Sequence, residues 1–176
     1  MLQCLDERII WKEDSTNFEG VIASNVIDTW LNFIQNTSRA KEAGGILLGR
    51  FYENTSTMLI DELTTPTWLD RRTRTSFYRS NAHDRALKKY WQKTDKIGGL
   101  LGLWHTHPES QPKPSYIDLQ DLNQQFNSFS YLSNRILYVI VGITHIGLWI
   151  AYRPNEKIFL GYMAIDSLNP DSKPLK

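Results

Sequence analysis

Ile97-Gly98-Gly99-Leu100-Leu101-Gly102-Leu103-Trp104-His105-Thr106-His107-Pro108 is an apolar run that closes on two histidines and a proline. The run reads as a strand over Ile97–His107. Pro108 ends it, because proline cannot donate to a sheet ladder. Histidines at i and i+2 on a strand point to one side, roughly 6.5–7 Å apart along the chain. Their imidazoles can therefore converge on one metal ion beyond the strand's end. Glu109–Pro114 follows as a loop with two prolines. Ser115 then opens a helix whose inner face is Leu119, Leu122 and Phe126, and Asp118 sits in its first turn, able to face back to the histidines.

Before this segment, Arg8–Lys12 and Gly20–Ala23 read as short strands. Ser24 or Asn25 caps a helix with Val26, Ile27, Trp30, Leu31 and Ile34 at helical spacing. Gly44–Tyr52 and Thr57–Leu63 form a hairpin around Glu53-Asn54-Thr55-Ser56. Thr64–Thr75 is irregular and Ser76–Arg79 is a candidate strand. Asn81 caps a second helix, Asp84 favours its positive end, and Ala86, Leu87, Tyr90 and Trp91 are its buried side. After the third helix come strands at Ile136–Val141, Gly147–Tyr152 and Ile158–Ile165. Strands and helices do not alternate regularly, so the pattern implies an α+β fold with a central mixed sheet. Residues 1–165 form one domain in this reading, and the polar 166–176 a loose tail.

Composition narrows the function. At 176 residues the chain suffices for one domain with a real core. A net charge of +1 gives no global field for nucleic acid or anionic membranes. One cysteine, Cys4, rules out an internal disulfide framework and a cysteine-rich zinc site, which favours a reduced cytoplasmic setting. The first residues lack the pattern of a signal peptide, and the apolar runs are too short to span a membrane. Signatures of other enzymes are missing, including H-E-x-x-H, P-C-x-x-C, G-x-S-x-G and a Walker loop.

Two imidazoles and one carboxylate leave a fourth tetrahedral position open to water, which distinguishes a catalytic zinc from a structural one. Zinc brings the pKa of that water to about 7. A carboxylate must still carry the proton to the leaving amine. Glu42, just before Ala43-Gly44-Gly45-Ile46-Leu47-Leu48-Gly49, is the candidate. The paired glycines permit close backbone approach beside a site.

Glu42 followed by Gly-Gly-x-Leu-Leu-Gly, with His105-x-His107-Pro108 and Ser115-x-x-Asp118 downstream, resembles the JAMM motif of the JAB/MPN metallopeptidases. The resemblance implies a cytidine-deaminase-like mixed sheet flanked by helices. It implies His105, His107 and Asp118 as ligands of Zn2+, Glu42 as general acid/base and Ser115 as the group that stabilises the oxyanion. It further implies a protein substrate with an extended C-terminal tail, paired with a strand edge. Where eukaryotic relatives carry an insertion that clamps ubiquitin, Asn127–Asn134 is short. Gly102-Leu103-Trp104-His105-Thr106-His107-Pro108 and the Tyr90-Trp91-Gln92 helix end resemble bacterial JAB proteins encoded with ubiquitin-activating and conjugating enzyme homologues. In anti-phage operons such peptidases release a cyclic-nucleotide synthase from proteins ligated to its C-terminus. Processing of a ubiquitin-like or sulfur-carrier protein is the alternative, and a catalytically silent scaffold a third. Outside the motif, His83 reads as a solvated helix residue and His145 as a turn residue. Cys4 reads as inert. Arg71-Arg72-Thr73-Arg74 reads either as a solvated loop or as a contact to the substrate protein.

Overall fold

The computed structural model describes residues 1–128, 131–152 and 156–168. Among the described residues, eleven strands and three α-helices run in the order β1 (Leu2–Leu5), β2 (Arg8–Lys12), β3 (Glu19–Ile22), α1 (Ser24–Leu31), β4 (Gly44–Tyr52), β5 (Thr57–Leu63), β6 (Arg71–Arg72), β7 (Phe77–Tyr78), α2 (Ala82–Lys93), β8 (Gly99–Thr106), α3 (Tyr116–Ser128), β9 (Arg135–Val141), β10 (His145–Tyr152) and β11 (Glu156–Ala164). Nine strands form one sheet in the order β1-β2-β3-β5-β4-β8-β9-β10-β11, and β6 and β7 form a separate hairpin. The sheet is mixed: β3 pairs with β5 and β8 with β9 in parallel, while the other neighbours are antiparallel.

Each face of the sheet has its own core. Val26, Ile27 and Trp30 of α1 pack with Trp11, Ile22, Ile60, Leu101 and Trp104 on one face. Leu122 and Phe126 of α3 and Tyr90 of α2 pack with Ile46, Leu48, Leu100, Leu103 and Tyr138 on the other. A bulge lies between these sets. In the β4–β8 pairing Leu47 faces Gly102, but Leu48 faces Leu100, so Leu101 is the extra residue. Strict alternation would put Leu101 and Leu103 on one face; instead they lie in opposite cores. The bulge thus re-aims the second half of β8, which carries Trp104 and His105.

Several details differ from the sequence reading. α1 starts after Ala23, and α2 after Asn81, without a side-chain cap. Trp91 is 40% exposed, because α2 turns His83, Leu87 and Tyr90 inward, and Lys96 covers the indole at 5.5 Å. β8 stops at Thr106 rather than His107. His145 opens β10 rather than sitting in a turn. Ile165–Ser167 form a 3-10 turn and Leu168 is buried; residues 169–176 of the expected tail lie outside the described residues. So do residues 129 and 130 of the segment expected to be a short connection.

His83 is buried, not solvated. Its Nε2 meets Asp70 Oδ2 at 3.1 Å and its Nδ1 meets Thr64 Oγ1 at 2.5 Å. Burial pushes its pKa down, so the neutral ring donates through Nε2 and accepts from the Thr64 hydroxyl. Asp70 also accepts the main-chain N–H groups of Thr67 and Ser80. The Thr64 carbonyl accepts the Trp104 indole N–H at 2.9 Å. This chain of bonds fastens residues 64–80 to α2 and to β8.

Burial alone would raise the Asp70 carboxyl, but its hydrogen bonds from Ser80, Thr67 and His83 hold it at about 2. A depressed carboxyl contributes stability above its unfolded pKa and loses it as pH falls through the folded value. Asp70→Asn should therefore cost about 2 kcal/mol at neutral pH. In urea unfolding the loss should shrink as pH is lowered from about 4 to about 2. An equal deficit at both ends of that window would contradict the network.

Candidate metal centre and active site

Glu42 lies just before β4, in a segment without helix or strand of its own. His105 belongs to β8 and His107 follows it; its N–H donates to the Val141 carbonyl at 2.9 Å, so the chain remains tied to β9 up to Pro108. Asp118 lies in the first turn of α3. Ser115 and Asp118 bond reciprocally: the Ser115 N–H donates to Asp118 Oδ2 at 2.6 Å, and the Asp118 N–H donates to Ser115 Oγ at 3.2 Å. This capping box fixes the carboxylate. The Ser115 hydroxyl thus lies directly against Asp118, and its side chain is among the hydrogen-bond partners that lower that carboxyl.

These segments converge. Glu42, His105, His107 and Asp118 each present a ligand atom within 4.8 Å of all the others. His105 Nε2 and His107 Nε2 are 3.0 Å apart, and Asp118 reaches His105 Nε2 through Oδ1 and His107 Nε2 through Oδ2, each at 3.3 Å. Ligands held tetrahedrally about 2.0–2.1 Å from zinc lie roughly 3.3–3.4 Å from one another. Asp118 reaches the two histidines through different oxygens, each at about that edge, and the His–His separation is slightly under it, so the three residues gather their donor atoms closely enough to surround a small divalent cation. The paired glycines beside Glu42 have the role expected of them. A Cβ on Gly44 would lie 2.6 Å from the Phe77 ring, and one on Gly45 would lie 2.1 Å from the Thr64 carbonyl oxygen.

The electrostatics set the four groups apart. Burial pushes the His105 pKa down, which keeps its nitrogen lone pair available. Burial also works against a charged His107, but the hydrogen bond and charge of Asp118 together with the charges of Glu42 and Glu109 raise its pKa. Burial would raise Asp118; bonds from His105 and His107 override it and hold the carboxyl well below the usual range. Glu42 is different. Only 4% exposed, it is raised by burial to about 8, with His107 opposing and Asp118 reinforcing the shift.

Glu42, His105 and Asp118 line a cleft of about 40 Å³ with Phe77, Tyr78 and Arg79. Arg79 pairs with Asp121, one turn beyond Asp118 on α3. Tyr78 and Ile117 are exposed at this cleft.

The sequence reading missed the residues that hold the centre together. Thr106 stands between the two histidines. Its N–H donates to the Ala43 carbonyl at 2.8 Å and its Oγ1 accepts the Ala43 N–H at 2.9 Å. The same hydroxyl donates to Gln35 Oε1 at 2.8 Å, and Gln35 is itself buried. Arg72 and Arg74 are not simply solvated: Arg72 donates to the Lys41 and Glu42 carbonyls and Arg74 to the Thr37 carbonyl. The only cue in the sequence was position, since Thr106 and Ala43 adjoin motif residues; Gln35 and Arg72 carried none.

The profile of a family described as prokaryotic homologues of the JAB domain matches residues 33–153. A protein from Pseudomonas aeruginosa named CD-NTase/cGAS isopeptidase is 32% identical over 115 residues, covering 65% of this chain and 72% of that protein. One of the same name from Escherichia coli is 32% identical over 57% of this chain and 64% of its own length. Another from Vibrio cholerae is 25% identical over 87% and 93% respectively. Among solved structures, the solution structure of a Desulfitobacterium hafniense protein superposes with a TM-score of 0.56 at 15% identity, covering 78% of this chain and 87% of that one, a likeness of fold.

Titration calorimetry with zinc should show one tight equivalent per chain. Zinc at 100 times its dissociation constant should stabilise the fold by roughly 2.7 kcal/mol, and EDTA should reverse the gain. His105→Ala should abolish both effects; a metal-independent melting temperature would refute the centre.

Proposed function

The chain belongs to the family of prokaryotic JAB-domain homologues, and we propose on that footing that it is a zinc-dependent isopeptidase. In this reading residues 1–165 are one catalytic domain. It cleaves the amide bond that joins the C-terminal tail of a protein to its conjugation target. The observation that carries the reading is the buried Glu42 carboxyl, which presents an oxygen within 4.8 Å of the His105, His107 and Asp118 donor atoms.

His105, His107 and Asp118 are the proposed ligands of Zn2+. When bound, zinc supplies Lewis acidity at the scissile carbonyl and makes water a usable nucleophile near neutral pH. The remaining steps belong to the chain. Glu42 takes the proton from the attacking water and hands it to the departing amine, both of which require a group that exchanges protons near neutral pH. Ser115 turns its hydroxyl to donate a hydrogen bond to the oxyanion of the tetrahedral intermediate. The substrate tail lies extended along the cleft by Tyr78 and Arg79, where main-chain hydrogen bonding can set its last carbonyl.

The substrate we favour is a cyclic-nucleotide synthase ligated through its C-terminus to other proteins, as part of anti-phage defence. The name of the Pseudomonas and Escherichia relatives, CD-NTase/cGAS isopeptidase, supports this choice. The setting we propose is the cytoplasm, where such a conjugate would be met; among the described residues no helix is long and apolar enough to cross a membrane.

A synthase–target conjugate, incubated with the purified chain and zinc, tests the activity. Glu42→Ala should keep one equivalent of zinc and an intact fold while losing roughly 10²–10⁴ in kcat. Full activity in Glu42→Ala would remove the proton-transfer role. Failure to cleave the synthase conjugate, alongside cleavage of a ubiquitin-like or sulfur-carrier tail, would replace the substrate and keep the enzyme.

A further inference from the structure

Arg71-Arg72-Thr73-Arg74 has no part in the chemistry above. Arg71 is exposed, but Arg72 turns back onto the chain. Its Nε donates to the Glu42 carbonyl at 2.6 Å and its Nη2 to the Lys41 carbonyl at 3.2 Å. The next residue completes the grip: the Glu42 N–H donates to the Thr73 carbonyl at 2.7 Å. Both main-chain polar groups of Glu42 are therefore held by two consecutive residues at the β6–β7 hairpin, outside the main sheet. Ala43 is held from the other side by Thr106.

This grip matters because nothing local replaces it. Residues 32–43, between α1 and β4, contain no helix or strand that would fix Glu42 through its own hydrogen-bond ladder. A planar guanidinium can donate to two successive carbonyls at once, whereas an ammonium offers a point donor. The far end of the same segment supplies Arg79, paired to Asp121 on the helix that carries Asp118. One stretch of chain thus touches both the proton carrier's backbone and the helix of a ligand.

We propose that Arg72 is a positioning residue for Glu42. By clamping the peptide groups on either side of the Glu42 Cα, it sets the reach of the carboxylate toward the His105–His107–Asp118 donors. The inference rests on the reading of Glu42 as the proton carrier. It also gives this arginine run a use other than contact with the substrate.

The test compares Arg72→Ala, Arg72→Lys, Arg71→Ala and Glu42→Gln in the full chain. It measures kcat and KM on the synthase conjugate, zinc content, and hydrogen exchange at the Glu42 and Ala43 amides. Because small misplacements of a catalytic group are costly, Arg72→Ala should lose roughly 10- to 100-fold in kcat. KM should stay within about twofold and zinc at one equivalent, because the clamp touches neither substrate nor ligands. The Glu42 amide should exchange faster in the same variant. Arg72→Lys should recover part of kcat, and Arg71→Ala should match wild type.

Wild-type kcat in Arg72→Ala beside an inactive Glu42→Gln would overturn the positioning role alone. A loss confined to KM would reassign Arg72 to substrate binding, and a loss explained by missing zinc would make it structural; both overturn the proposal. Wild-type kcat in Glu42→Gln would overturn the proton-carrier reading and this inference together. Should Arg72→Ala fail to fold, Arg72→Lys decides: a kcat lowered several-fold at constant KM supports the clamp, and an unchanged kcat refutes it.

Discussion

Ala43 and Thr106 are joined by a pair of hydrogen bonds, one to the Thr106 main chain and one to its hydroxyl. They are 63 residues apart in sequence. Thr106 separates the two histidines, and Ala43 follows the glutamate, so this one contact brings the proton carrier beside the metal donors. The hydroxyl works in both directions, accepting from Ala43 and donating to Gln35. Gln35 passes the connection on to the carbonyls of Ala40 and Arg74. A buried polar chain of this kind rigidifies a site when every member is satisfied, and the described bonds satisfy Thr106 and Gln35 at both ends.

Around that contact the site is a balance between burial and pairing. His105, His107 and Asp118 lose water but gain one another, which leaves one imidazole neutral and the carboxylate ionised. Glu42 loses water without equivalent compensation, and its proton affinity rises into the neutral range. Two carboxyl groups a few ångströms apart are thereby driven in opposite directions, one toward ligation and one toward proton exchange. Such divergence is how acid and base roles are divided within a single site.

Much of this was legible in the sequence, for physical reasons that can be named. The β4–β5 hairpin was readable because both strands alternate or run apolar around a polar turn. The convergence of His105, His107 and Asp118 was readable because strand and helix periodicities decide which side chains share a side, whereas the role of Ser115 came from motif resemblance. Glu42 came from motif resemblance, since a lone glutamate before two glycines says little about long-range contact. β1 escaped because its turn is built by Asp6 and Glu7 at φ of 48° and 60°, where glycine or asparagine would have given the signal. The bulge at Leu101 escaped because Leu100, Leu101 and Leu103 are chemically alike, so the face switch has no compositional trace. His83 and Arg72 escaped because each is held by a partner outside its own element, Asp70 for His83 and the Glu42 carbonyl for Arg72, which no local pattern announces.

The central claim is geometric, and zinc-edge anomalous diffraction from crystals of the zinc-loaded protein addresses it most directly. A single anomalous peak is predicted, bonded at about 2.0–2.2 Å to His105 Nε2, His107 Nε2 and an Asp118 oxygen. The Glu42 carboxylate should stay outside the bonding shell, within hydrogen-bond distance of the fourth position. A peak elsewhere on the chain, or Glu42 as a direct fourth ligand closing the site, would contradict the account.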